Sequence, residues 1–159
     1  MSSLDVAQRI THFLVELGIP CSEGEAPAST FLPGVWLERG GVRWDAGALK
    51  WPGDLLHEAG HLATLPPSAR AAQSGTLNVT PADEMAAIAW SWAAGRRLEL
   101  DPRALFHADY KGGSDSLLAS FATRQPVGVP LLVWYGMTTL EQFPAMTLWL
   151  RPEPRAAAS

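Results

Sequence analysis

The sequence predicts an α+β domain, mainly helical, with one small antiparallel β-hairpin just before a central helix. Three observations carry that expectation. Apolar residues recur at helical spacing in several segments, bounded by Asp or Thr at their starts and by Gly or Pro at their ends. A Gly-Gly turn separates two short runs rich in Val and Trp. The chain has 159 residues, 47% hydrophobic and 18% charged, which suits one globular core, so residues 1–159 read as a single domain.

From Leu4 to Leu17 the apolar residues Leu4, Val6, Ile10, Phe13, Leu14 and Leu17 fall mostly at helical spacing, and Gly18 with Pro20 ends the pattern. Residues Cys21 to Thr30, rich in Ser, Gly, Ala and Pro, read as a loop. Val35-Trp36-Leu37 and Val42-Arg43-Trp44 flank Glu38-Arg39-Gly40-Gly41, which is a hairpin signature. Asp54 is an acceptable N-cap for a helix running to about Leu65, where Pro66-Pro67 stops it. After a second loop, Ser68 to Val79, Thr80 can cap and Pro81 suits a first helical position, giving a helix to about Leu98. Asp101-Pro102 starts a short helix to about Ala108, and Ser114 to Ala122 reads as another. The stretch Gly128 to Met137 is apolar but broken by Pro and Gly, and a buried strand, a cleft wall and an oligomer contact all remain open for it.

The central helix carries Asp54-Leu55-Leu56-His57-Glu58-Ala59-Gly60-His61. Residues four apart share one face of a helix, so His57 and His61 stand side by side at a separation one ion can bridge. Neutral imidazoles suit zinc, and Glu58 beside the first of them can reach a water molecule without being a ligand itself. With 4 His in 159 residues, random placement yields such a motif on the order of once in a few hundred chains. Gly60 adds to the signal, because glycine inside a helix costs about 1 kcal/mol relative to alanine and marks a close approach. With Cys21 as the single cysteine, a Cys-based site is excluded and any metal site, its third ligand included, is built from His, Asp and Glu. Glu84, on the first turn of the next helix, is the leading candidate and Asp83 the neighbouring alternative, although an acidic pair there also answers the helix dipole.

HEAGH, followed after 22 intervening residues by Glu84 in DEMAAIAWSWAA, resembles the zincin metallopeptidases of gluzincin type. Among these the small soluble ImmA/IrrE-type peptidases are closest in plan, with a short strand pair before the motif helix and an Ala-rich Glu helix after it. The resemblance covers roughly residues 31–95. It implies Zn2+ on His57, His61 and Glu84, with Glu58 as catalytic base. No GxxH continuation follows His61, unlike metzincins, and the extended Glu-containing signature of thermolysin-like enzymes is absent.

The stretch His107-Ala108-Asp109-Tyr110-Lys111-Gly112-Gly113 gathers polar groups in a turn. His107 or Tyr110 is a candidate donor to a developing oxyanion, beside the simpler reading of a polar surface turn. Among seven tryptophans, most belong in the core, while Trp51 and Trp134 are candidates for a cleft wall.

Composition narrows the rest. A net charge of -4 with scattered Lys and Arg gives no footprint for nucleic acid. No window reaches the roughly 18 apolar residues of a membrane span. Asp5, Arg9, His12 and Glu16 interrupt the first twenty residues, unlike a signal peptide, so a cytoplasmic protein is expected. The sequence thus points to a zinc-dependent hydrolase acting on a peptide or protein. The alternative is a metal-binding regulatory or interaction protein with little hydrolysis. Oligomeric state is not legible.

Overall fold

A computed structural model describes residues 1–110 and 113–154. Its elements, in chain order, are α1 (Ser3–Leu17), β1 (Cys21–Glu23), β2 (Val35–Glu38), β3 (Gly41–Trp44), α2 (Gly53–Ala63), α3 (Pro67–Arg70), α4 (Pro81–Arg97), α5 (Pro102–Leu105), α6 (Ser114–Phe121) and α7 (Val129–Trp134). The fold is α+β and mainly helical, as the periodicity predicts.

Ser2 and Asp5 close a capping box at the start of α1, which buries Ala7, Ile10, Phe13 and Leu14 on one face. The expected hairpin forms: β2 runs antiparallel to β3, with Val35 opposite Trp44 and Leu37 opposite Val42. Arg39 and Gly40 at its turn both take positive φ, 49° and 76°, as a two-residue turn matched to the strand twist requires. The sheet is larger than expected, however. Cys21–Glu23, expected to be loop, is β1 and pairs in parallel with β3, giving the order β1-β3-β2. Main-chain bonds hold it there: the Val42 N–H donates to the Pro20 carbonyl and the Gly24 N–H to the Trp44 carbonyl, each at 2.8 Å.

The helix of the HExxH motif begins and ends slightly earlier than expected. Asp54 does not cap it. Pro52 holds the N-cap position without a side-chain bond, and the Asp54 carboxylate turns inward. At its far end α2 is pinned by two arginines: Arg70 donates to the Leu62 and Leu65 carbonyls, and Arg151 to those of Ala63 and Thr64. These bonds satisfy carbonyls that a helix end leaves without partners.

α4 starts as its sequence dictates, with Thr80 and Asp83 in a capping box and Pro81 at the first helical position. It packs on α2 at Ala87, and Ala86 and Ala89 are buried as well. The contact is close at Gly60, where an added Cβ would lie 2.7 Å from the Ala87 carbonyl oxygen. Glycine is there because a backbone occupies the space a side chain needs.

α5 stops at Leu105 rather than near Ala108, which frees residues 106–110 to fold back over α2. The apolar stretch after Gly128 is neither strand nor loop at its start: Val129–Trp134 is α7, with Val129, Leu132 and Met137 buried and Trp134 85% exposed. Among the described residues no helix is long and apolar enough to cross a membrane.

Candidate metal centre

Helical spacing on α2 places the two imidazoles as the motif implies. The Nε2 atoms of His57 and His61 lie 3.2 Å apart, and both residues are buried. With Glu58, which is half-buried, they form a cluster whose ligand atoms all lie within 4.8 Å of one another, able to hold a metal ion.

The close α2–α4 packing brings a fourth group in. Glu84 Oε1 lies 3.1 Å from His57 Nε2, and Oε2 lies 2.9 Å from His61 Nε2. Asp83, one residue earlier, is turned the other way and accepts from the Thr80 N–H at 2.9 Å. Burial pushes the Glu84 carboxyl up, but hydrogen bonds with His57 and His61 outweigh it and hold the group well below the usual carboxylate range. Burial likewise disfavours a charged His57, yet Glu84, with the charges of Glu58 and Asp54, raises its pKa above the ordinary value. Glu58 is raised, mainly by burial, against the pull of His57 and His61.

The folded-back segment meets α2 from the other side. The Tyr110 hydroxyl is 2.7 Å from His57 Nδ1, and burial raises its pKa well above that of a free phenol. His107 is buried. Its Nδ1 accepts the Asp109 N–H at 3.2 Å, so Nε2 carries the proton and donates to Asp54 Oδ1 at 2.7 Å. Trp51 stacks on the His107 ring, centroids 4.4 Å apart and planes 4° from parallel. The Trp51 indole N–H and Lys50 both donate to Asp109. Lys111 and Gly112 of the same polar turn lie outside the described residues. Sequence reasoning missed Asp54 as a member of this group, because a helix-start acid is normally a cap and its partner is 53 residues away.

These side chains open onto a cleft of about 800 Å³. Trp51 lines it, as the sequence suggested, whereas Trp134 does not. His57, Glu58, His61 and Glu84 lie together among its lining, with Asp54, His107 and Tyr110.

Fold and site together define the class: an α+β domain with a buried His-Glu-His cluster of metal-binding type at the foot of an open cleft. No protein-family model, no curated protein and no solved structure matches the chain.

Proposed function

We propose that the centre holds a divalent metal ion, zinc by its donor set, and that the protein is a metal-dependent hydrolase of peptide or related amide bonds, in the gluzincin plan its sequence resembles. One observation carries the reading. His57 Nε2, His61 Nε2 and the Glu84 carboxylate stand 2.9 to 3.2 Å from one another, close to the roughly 3.3 Å edge of a tetrahedron built on zinc bonds of about 2.0–2.1 Å. His57, His61 and Glu84 would hold such an ion with three protein donors and leave room for water beside them, the pattern of catalytic rather than structural sites.

When bound, such an ion lowers the pKa of water and polarises a carbonyl. The chain's own groups supply the rest. Glu58 is not needed as a ligand, and its half-buried carboxylate faces the cleft, where it accepts a proton from water and returns it to the leaving amine. Its raised pKa brings it nearer to neutral pH, which suits a group that must both accept and release a proton. Tyr110 Oη accepts the His57 Nδ1–H, which fixes the ring with Nε2 free to ligate, and its own hydroxyl proton stays available to a substrate oxyanion. The geometry favours Tyr110 over His107 as that donor, since both ring nitrogens of His107 are engaged within the fold. His107 then acts by holding the 106–110 segment on α2.

The reading is tested by metal analysis and one substitution. Purification with added zinc should retain close to one equivalent; less than about 0.2 equivalents sinks the metal assignment. Glu58→Gln should abolish cleavage of a peptide library with zinc still bound. Turnover that survives this change overturns the assigned base, and a zinc-loaded wild type that cleaves nothing leaves the binding-protein alternative in its place.

A further inference from the structure

The lining of the cleft is of two kinds. Beside the acids stand residues of the segment from Pro27 to Trp36, with Phe31 74% exposed, and of the loop carrying Leu77 and Val79, the latter 39% exposed. Among the described residues no Lys or Arg lines the cleft. Its acids are Asp54, Glu58, Glu84 and Asp109, and among the described residues only Asp109 has a Lys or Arg partner, Lys50 at 2.8 Å. Even with the two charges of a divalent ion, the carboxylates of Asp54, Glu58 and Glu84 leave no positive excess. A substrate carboxylate, including the C-terminal carboxylate of a peptide, meets no lysine or arginine of the described lining and would face like charge from its acids.

The main chain bordering the cleft is also partly closed to a ligand. In the Leu37–Val42 and Val35–Trp44 pairs the Val42 N–H and Trp44 carbonyl point to the β1 side, so the Val35 and Leu37 main-chain groups point away from β3. There the Val35 N–H already donates to the Leu32 carbonyl at 3.3 Å, and the Leu37 carbonyl accepts the Gly75 N–H at 2.9 Å. A peptide laid along β2 cannot form a full strand ladder, so side chains rather than main-chain pairing must select it.

Resting on the hydrolase reading, we infer that the substrate is an internal, uncharged stretch of polypeptide with bulky apolar side chains. Phe31, Leu32, Trp36, Leu77 and Val79 are its specificity-determining residues. They line the same cleft as Glu58 and Glu84, so on this inference they hold the residues next to the bond being cut.

The probes are N-acetylated, C-amidated decapeptides with a central Leu and Phe, matched peptides with Glu at those positions, and the apolar peptide with a free C-terminal carboxylate next to the Leu-Phe pair. Zinc-loaded Glu58→Gln protein reads binding through the fluorescence of the cleft tryptophans, and zinc-loaded wild type reads cleavage. The blocked apolar peptide should bind at least about tenfold more tightly than either acidic form. In a double variant adding Val79→Lys, at an exposed position that tolerates a long side chain, that preference should shrink to about threefold or less as the new cation meets the glutamates. Equal or tighter binding of the acidic forms, a preference that Val79→Lys leaves unchanged, or no binding of any peptide overturns the inference. Cleavage by wild type without the apolar preference overturns it while sparing the hydrolase reading. Selective binding of the apolar peptide with no cleavage does the reverse.

Discussion

Gly60→Ala probes how the centre is assembled. The added methyl would sit 2.7 Å from the Ala87 carbonyl oxygen and 3.2 Å from its Cα, both backbone atoms that cannot rotate aside. Relief requires α4 to retreat from α2 by roughly 0.7 Å, the gap between 2.7 Å and the start of an ordinary contact. Glu84 lies one turn before Ala87 on that helix and would move with it, stretching the 2.9 and 3.1 Å approaches to His61 and His57. Two effects compete in stability. Alanine favours the helix by about 0.5–1 kcal/mol, while overpacking a tight contact costs about 1–3 kcal/mol. The net is a loss of about 1–2 kcal/mol, which for a chain of this size lowers Tm by roughly 2–8 °C. Loss of ligand alignment should weaken zinc about tenfold or more, as damage to the surroundings of metal ligands does. Thermal unfolding in chelator reads the first effect, and competition with a chromophoric chelator reads the second. A variant as stable as wild type with undiminished zinc affinity would show that this contact does not set the position of Glu84.

Tyr110→Phe removes the group on His57 Nδ1 while keeping the ring; we expect zinc affinity to fall about 10- to 100-fold with the far-UV spectrum unchanged, and equal affinity would remove Tyr110 from the centre. His107→Ala strands the buried Asp54, whose Oδ2 already lacks a partner, and should cost about 3 kcal/mol in a urea titration; a cost under about 1 kcal/mol would mean the pair is not structural. In metal-free protein the pH dependence has two sides. Glu84, depressed by the two histidines against the opposing effect of burial, contributes stability that is present above the ordinary Glu range and lost as pH falls through its folded value. His57, raised chiefly by Glu84 although burial opposes it, contributes stability that is present below the ordinary His range and lost as pH rises through its folded value. Chelated wild type should therefore lose Tm on both sides of mildly acidic pH, and Glu84→Gln should flatten that profile; parallel curves for the two proteins would refute the coupling.

What the sequence disclosed and what it hid follow from how far each contact reaches. The hairpin, the two long helices and the pairing of His57 with His61 are set by neighbours within a few residues, where periodicity, turn chemistry and caps act. Glu84 was legible only as the leading one of two carboxylates on the first turn of the next helix; the fold separates them, with Asp83 held in the Thr80 cap and Glu84 beside the two histidines. β1 was hidden because Ser22 and Glu23 are exposed and only Cys21 is buried, so three residues joined by main-chain bonds carry no alternation to read. Asp54 was hidden for a stronger reason. At a helix start an acid already has a local explanation, and nothing near it announces that His107 will arrive from a segment folded back by the early stop of α5. Gly60 stands between these cases. Its cost in a helix signalled that something must come close, but only the fold shows that the neighbour is the backbone of the helix that delivers Glu84. The local motif therefore places two imidazoles side by side, while the approach of Glu84 to them goes with a helix contact made at a glycine.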